Sequence, residues 1–185
     1  MRKLKHEEIP RPDPGEVPLL PKHPIAALLD NVRSIHNVGS IFRTSDAARI
    51  ERLWLTGITG TPEHPDLHKT ALGAQDVVSW THEEGAPACA ARLRREGYTL
   101  AALELTDAPT AARDVEPDHF PLCLAVGNEV RGVQDELIEQ ADLALEIPQY
   151  GAKQSLNVSV AYGIAVFDLV RRYRSFSSTS TAEHA

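Results

Sequence analysis

Polar residues that could bind a ligand crowd the segment 30–47, which reads DNVRSIHNVGSIFRTSDA. The segment follows a short apolar run and opens into apolar residues at helical spacing, so it lies where the chain leaves a predicted sheet. Asn37 is placed to cap the predicted helix through its side-chain oxygen, and Arg43 follows nearly two turns later. A capped surface helix with solvated charges explains this pattern as well as a binding site does. The polar members are Asn31, Arg33, His36, Asn37, Ser40, Arg43, Thr44 and Asp46.

A second segment, 124–137, reads LAVGNEVRGVQDEL and joins a predicted strand to a predicted helix. Gly127 and Gly132 allow a backbone to approach a ligand closely. The G-x-G-x-x-G fingerprint is missing, so the sequence does not support a site for a nicotinamide dinucleotide. A tight turn explains the two glycines equally well.

A third segment, 147–160, reads IPQYGAKQSLNVSV. The strand ends at Ile147 because Pro148 has no amide donor, and a loop then leads into a long predicted helix. Ser155 is placed to cap that helix. Asn157 is polar inside an otherwise apolar helix start, so we expect it to have a specific hydrogen-bond partner.

Several other chemistries lack their motifs. There is no G-x-S-x-G for an α/β-hydrolase and no Walker-type GK[ST] for a phosphate loop. His64 and His68 are four residues apart, but Pro65 breaks a helix start and no glutamate follows His64, so we expect no metal site. Cys89 and Cys123 lie in no CxxC pattern and are expected to be buried or half-buried thiols.

The elements that must position these segments alternate between strand and helix. Such alternation predicts an α/β fold with a mostly parallel sheet covered by helices on both faces, and such sheets bind ligands beyond the carboxyl ends of their strands. The predicted strands are 25–29, 53–57, 77–80, 98–103, 122–126 and 143–147, and the predicted helices are 37–49, 86–96, 134–140 and 155–172. The last helix carries an apolar face formed by Leu156, Val160, Ile164, Phe167 and Val170.

The composition predicts one folded domain with two irregular ends. The 185 residues suit a single core, which we place at 25–174, between a proline-rich extended arm (1–24) and a disordered tail (175–185). The net charge of −7 disfavours non-specific coating of nucleic acid but allows a local basic patch. The sequence has neither a secretory signal nor an apolar run of membrane-spanning length, so a cytoplasmic location is the default expectation.

Taken together and in order, the three segments resemble the SpoU/TrmH-like branch of the SPOUT RNA methyltransferases. The resemblance covers about residues 25–172 and includes the intermediate stretch KTALGA at 69–74. The matching pieces are Asn37, Arg43-Thr44, Asp46-Ala47, Gly127-Asn128-Glu129, Gly132, Ile147-Pro148 and Ser155-Leu156-Asn157-Val158-Ser159-Val160.

The resemblance implies a C-terminal deep trefoil knot, which general experience with folds would not suggest. It implies S-adenosylmethionine as the cofactor, bound at Gly127, Ile147 and Leu156, and a homodimer formed through the knot region and the terminal helix. The implied reaction is methylation of a ribose 2′-hydroxyl in tRNA or rRNA.

Arg43 matches the catalytic arginine of the family. A guanidinium is a poor base in water, so Arg43 could lose a proton in an unusual environment, act through a nearby phosphate, or grip that phosphate in a bidentate fork. The resemblance implies that Asn37, Glu129, Ser155 and Asn157 position the reacting groups.

RNA binding requires positive charge. Because the net charge of the chain is negative, we expect this charge to form a confined patch and the affinity for RNA to depend strongly on salt concentration. The alternatives are a knotted protein that binds RNA or S-adenosylmethionine without turnover, and an unrelated α/β enzyme acting on a small molecule. The candidate RNA-binding residues are Arg33, Lys69, Arg131 and Lys153, with Arg43 beside them and Arg2, Lys3 and Lys5 in the arm.

Overall fold

The computed structural model describes residues 1–10, 12–13 and 15–182. Its centre is a six-stranded sheet in which every pairing is parallel, as the sequence predicts. The strands are β1 (His23–Asp30), β2 (Ile50–Thr56), β3 (Trp80–Glu83), β4 (Thr99–Leu103), β5 (Leu122–Val126) and β6 (Leu143–Leu145). Their order across the sheet is β3-β2-β1-β5-β4-β6.

Helices cover both faces of the sheet, which confirms the predicted layering. They are α1 (Ile35–Ala48), α2 (His68–Ala71), α3 (Ala86–Arg95), α4 (Asp135–Gln140) and α5 (Val158–Ala182). The central strand β1 shows why two layers form: Ile25, Ala27 and Leu29 pack in the core that contains α1 and α5. Ala26 and Leu28 alternate with them and pack in the core that contains α3 and α4. A strand buried on both faces reads as a continuous apolar run.

One predicted strand is misplaced. The sequence predicts a strand at 77–80, but β3 begins at Trp80, and the chain before it forms a 3₁₀ turn at Ala74–Asp76. The amides of Val77 and Val78 donate to the carbonyl of Ala74, so this apolar pair is fixed by the turn and not by pairing with a neighbouring strand.

Both predicted helix caps are wrong by a few residues. Helix α1 is capped by Ser34, whose hydroxyl accepts the amide of Asn37 at 3.4 Å. Helix α5 begins at Val158, and Asn157, not Ser155, accepts the first amides. Each segment offers more than one capping residue, and the point where the chain turns decides which of them is used.

The ends of the chain differ from their predictions in detail. In place of a fully extended arm, short 3₁₀ turns occur at His6–Glu8 and Val17–Leu19; residues 11 and 14 of the arm lie outside the described residues. Helix α5 continues to Ala182, through most of the predicted disordered tail. Phe176 anchors this extension, since its ring lies 6.4 Å from that of Phe120 and beneath the guanidinium of Arg172. Residues 183–185 lie outside the described part of the tail.

Cys89 and Cys123 are both fully buried, as predicted. Burial raises the pKa of the Cys89 thiol to about 12 and that of Cys123 further still. Both thiols are therefore protonated and unreactive at neutral pH. Within the described residues no helix is both long and apolar enough to cross a membrane.

Candidate active site

The carboxyl ends of β1, β5, β4 and β6 are neighbours at one edge of the sheet. From β1 the chain moves outward to β2 and β3, whereas β5, β4 and β6 lie on the other side, so a topological switch point falls between β1 and β5. A cavity of about 650 Å³ opens beyond these strand ends, a volume that suits a small-molecule ligand. Its lining comes from the stretches 103–106, 126–138 and 145–161.

The cavity brings together the three residues predicted to contact a cofactor, Gly127, Ile147 and Leu156. Gly127 is buried, and a Cβ atom there would lie 2.1 Å from the backbone carbon of Gly132, so no other residue fits. Asn128 and Gly132 exchange two backbone hydrogen bonds of 2.9 Å, which closes the intervening residues into a tight turn. The tight turn, one of the two alternatives left open by the sequence, is present, and it lines the cavity.

The side chain of Asn128 fastens this turn to the end of β1. Its Nδ2 donates to the carbonyl of Asn31 at 2.9 Å. Its Oδ1 accepts the amides of Val130 and Arg131 at 2.9 and 3.1 Å. The side-chain amide of Asn128 thus stabilises the turn and also holds it against segment 30–47.

Glu129 binds the N-terminus of α1. Its carboxylate accepts the amides of Arg33 and Ser34, each at 2.9 Å, and the side-chain Nδ2 of Asn37 at 2.8 Å. Partial burial opposes ionisation, but these hydrogen bonds outweigh it and lower the pKa of Glu129. The ionised carboxylate also complements the positive end of the helix dipole.

Asn157 extends this network to α5. Its Nδ2 donates to Oδ1 of Asn37 at 3.1 Å, and its Oδ1 accepts the amide and the hydroxyl of Ser159 at 2.9 and 2.7 Å. The specific partner expected for Asn157 is confirmed. One chain of hydrogen bonds therefore links the turn after β5 to the starts of α1 and α5. We call Asn37, Asn128, Glu129 and Asn157 the framework residues.

Arg43 and Ser155 are placed differently. Both are exposed, and neither side chain makes a hydrogen bond or ion pair with any residue that the structure describes. Ser155 lines the cavity, whereas Arg43 lies on α1 beyond the framework residues. The structure thus gathers Asn37, Glu129 and Asn157 into one cluster and leaves Arg43 outside it.

The candidate RNA-binding cations fall into two groups. Arg33, Arg131 and Lys153 are exposed and form no ion pair within the described part of the chain, and Arg131 lines the cavity. Lys69 instead pairs with Asp66 at 2.6 Å. We call Arg33, Arg43, Arg131, Lys153 and Ser155 the unpaired residues.

Several cations elsewhere in the fold are paired with acidic side chains. Arg92 contacts Glu83 and Glu96, Arg94 contacts Asp142, and Arg172 contacts Glu116. Arg131, which lines the cavity without an ion-pair partner among the described residues, is therefore available to a ligand.

Two carboxylates at this edge were assigned no role from the sequence. Asp30 is fully buried and accepts the amide of Gln134 at 2.9 Å and Nδ2 of Asn31 at 2.8 Å, and it also contacts the Gln134 side chain. Glu104 accepts the amides of Leu105 and Val133 at 3.0 Å each, which supports the far side of the tight turn. The available signal was an acidic residue directly after a buried apolar strand, as in IAALLD and TLAALE.

The metal-ligating residue types do not cluster. Among the residues that the structure describes, no three of His, Cys, Asp and Glu are grouped so that they could hold a metal ion. The polar groups of the site are therefore amides, carboxylates, hydroxyls and guanidinium or ammonium groups.

Comparison with known proteins identifies relatives over most of the chain. The model of the SpoU rRNA Methylase family matches residues 24–167. A tRNA (guanosine(18)-2′-O)-methyltransferase of Aquifex aeolicus is 34% identical over 77% of this chain and 67% of its own length. The 23S rRNA (guanosine-2′-O-)-methyltransferase RlmB of Vibrio parahaemolyticus is 30% identical over 80% of this chain. The match spans only 60% of that relative's length.

Solved structures share the fold. The TrmH/SpoU tRNA modifying enzyme of A. aeolicus is similar with a TM-score of 0.78 and 29% identity, covering 89% of this chain and 83% of that one. An AdoMet-bound rRNA methyltransferase from Sinorhizobium meliloti is similar with a TM-score of 0.75 and 27% identity, covering 84% of this chain and 59% of that one.

Proposed function

Because the chain belongs to the SpoU rRNA methylase family, we propose that it transfers a methyl group from S-adenosylmethionine to a ribose 2′-hydroxyl of tRNA or rRNA. The observation that carries the proposal is the hydrogen-bond chain Glu129–Asn37–Asn157 beside a cavity lined by Gly127, Ile147 and Leu156. Relatives whose names state 2′-O-methylation of guanosine in tRNA and in 23S rRNA support both the reaction and the class of substrate.

The cavity suits S-adenosylmethionine chemically. Its lining contains the carboxylates of Glu104, Asp135 and Glu146 against a single cation, Arg131, besides Glu129, which is engaged by α1. An acidic lining favours a cofactor with a positively charged sulfonium over one with several phosphates. When bound, the cofactor supplies an electrophilic methyl group.

The residues of this chain contribute alignment and charge. Correct alignment of two reactants can lower a barrier by about 7–11 kcal/mol, and the framework residues provide it by fixing the starts of α1 and α5 to one turn. Ser155 faces the cavity with a free hydroxyl, which positions the ribose. Arg43 grips a phosphate next to the target ribose or relays the proton through it, because a guanidinium is a poor base in water.

A homodimer is part of the same proposal. Val160, Ile164 and Phe167 are 51%, 39% and 40% exposed and lie at positions i, i+4 and i+7 of α5, and Leu156, which is 41% exposed, lies two residues before the helix begins. Apolar side chains aligned in this way form a stripe that a second copy of the chain would bury. Sedimentation equilibrium of the wild type against Val160→Asp tests this, since a charge in the stripe should give the mass of a monomer.

The trefoil knot and a cytoplasmic location complete the proposal. The knot is implied by family membership. RNA substrates of the kind named for the relatives support the location.

The direct test is incubation of the purified protein with labelled S-adenosylmethionine and unfractionated tRNA or rRNA. New 2′-O-methyl sites should be found when the labelled RNA is mapped. Label on a base would contradict the ribose as the acceptor. Saturable binding of RNA and cofactor without any labelled product would instead support a binding protein without turnover.

A further inference from the structure

Tyr150 is the aromatic residue that the fold leaves in solvent. The sequence contains four phenylalanines, four tyrosines and two tryptophans, and the structure describes all of them. Tyr150 is 95% exposed, whereas the next most exposed aromatic, Phe167, is 40% exposed. The ring of Tyr150 makes no ring contact or hydrogen bond with the described residues.

The loop between β6 and α5 places Tyr150 at the rim of the cavity. Gln149 folds back so that its Nε2 donates to the carbonyl of Ile147 at 3.0 Å, and Gln149 lines the cavity. Gln154 and Ser155, a few residues later, line it as well. Tyr150 lies between these lining residues, with its own side chain in solvent.

The surroundings of Tyr150 favour a nucleic-acid base over a protein surface as its partner. Gly151, Ala152 and Gln154 next to it are small or polar, so its ring is not part of an apolar patch within the loop. Lys153, in the same loop, is exposed and unpaired, as is Arg131 on the cavity lining. A single exposed ring in a loop that also carries an unpaired cation matches a nucleotide, which offers a π-face and a phosphate.

We propose that Tyr150 stacks on an unpaired base of the RNA, next to the nucleotide whose ribose faces the cavity. The proposal rests on the proposed function and assigns to this residue the placement of a single-stranded or splayed-out nucleotide. Stacking requires the ring but not the hydroxyl. Tyr150 is therefore a substrate-positioning residue and plays no part in cofactor binding.

Three substitutions at this position separate stacking from other contacts. In Tyr150→Phe the ring is kept, in Tyr150→Leu only an apolar side chain is kept, and in Tyr150→Ala both are lost. Base stacking on an aromatic side chain corresponds to about a 5- to 150-fold change in affinity. We expect the Leu and Ala variants to weaken RNA binding and raise KM for RNA within that range, and the Phe variant to match the wild type.

The measurements are fluorescence anisotropy with labelled unfractionated tRNA and rRNA, steady-state methylation of the same RNA, and calorimetry with S-adenosylmethionine. The Kd for the cofactor and kcat at saturating RNA should stay within about twofold in all three variants, a split that general damage to the loop would not produce. Equal RNA affinity of the Ala variant and the wild type would refute the stacking role.

Two further outcomes would also overturn it. If the Leu variant behaves like the wild type while the Ala variant changes the oligomeric mass, Tyr150 contacts a second copy of the chain. If the wild type methylates no RNA, the proposed function itself fails. If the wild type is active and Tyr150→Ala leaves its affinity for RNA unchanged, the stacking role is rejected and the proposed function stands.

Discussion

The framework residues and the unpaired residues lie in the same three segments, 30–47, 124–137 and 147–160, but differ in what holds them. Asn37, Glu129 and Asn157 have their hydrogen-bonding groups engaged by one another or by backbone amides. Arg43 and Ser155 have no partner within the described residues. The first group determines where three segments lie. The second keeps its donors available for a substrate. Substitutions in the two groups should therefore have different signatures.

The largest effect is expected at Arg43, because replacing this side chain removes a contact with the substrate and breaks no hydrogen bond or ion pair among the described residues. Arg43→Ala should reduce methyl transfer by about 100- to 10,000-fold, the range typical of a group that acts on the reacting atoms. The Kd for S-adenosylmethionine and the thermal midpoint should stay at wild-type values. Arg43→Lys, which keeps the charge but lacks the bidentate fork, serves as the matched variant. A fully active Arg43→Ala enzyme would remove Arg43 from the site.

Asn157 and Ser155 are two residues apart but belong to different groups, so substitutions at these positions compare the groups directly. Asn157→Ala removes a helix cap and should lower the free energy of unfolding by about 1 kcal/mol, while methyl transfer falls more than about tenfold because α1 and α5 lose their link. Ser155→Ala should reduce methyl transfer without changing stability. Denaturant titration and steady-state kinetics on both variants check this. The distinction between the two groups would collapse if Ser155→Ala destabilised the protein as much as Asn157→Ala.

The lowered pKa of Glu129 predicts that the free energy of unfolding depends on pH. Its pKa is lowered in the folded state, so its contribution is complete above the pKa of an unfolded glutamate, about 4.3, and is lost as the pH falls through the folded pKa. Glu129→Gln should therefore be less stable than the wild type at pH 7, and the gap should narrow below about pH 4. Urea unfolding of both proteins from pH 7 to pH 3 measures the gap, and a constant gap across this range would contradict the role of the ionised carboxylate.

The smallest effects are expected among the exposed cations. Arg131→Ala should weaken RNA binding and reduce the slope of log K against log salt by about 0.7–0.9, the value for one lost phosphate contact. Lys69→Ala should change affinity by less than about twofold, because Lys69 already pairs with Asp66. Anisotropy titrations at several salt concentrations compare them. A larger effect of Lys69→Ala than of Arg131→Ala would reverse the proposed map of the RNA surface.

The sequence predicts the sheet well where its signal is local. The run IAALL is apolar at every position because β1 is buried on both faces, and this pattern correctly predicts a strand. The start of a helix is harder to predict, because Ser34, Asn37, Ser155 and Asn157 are all competent caps. Which of them is used depends on where the chain turns.

The roles of Asp30 and Glu104 could not be found in the sequence. Asp30 is tied to Gln134 and Glu104 to Val133, at separations of 104 and 29 residues. No periodic pattern reports such partners. A knot leaves no local pattern either, so the resemblance alone implies one here.

The hydrogen bonds that Asn37 donates to Glu129 and that Asn157 donates to Asn37 join positions 92 and 120 residues apart. Closing loops of that length is slow compared with forming a helix or a turn, so the site assembles late. A chain that ends before residue 157 contains the sequence of all six strands but lacks Asn157, so it cannot complete this cluster. Methyl transfer can therefore serve as an assay for completed folding, and refolding kinetics followed by activity should lag behind those followed by helix content.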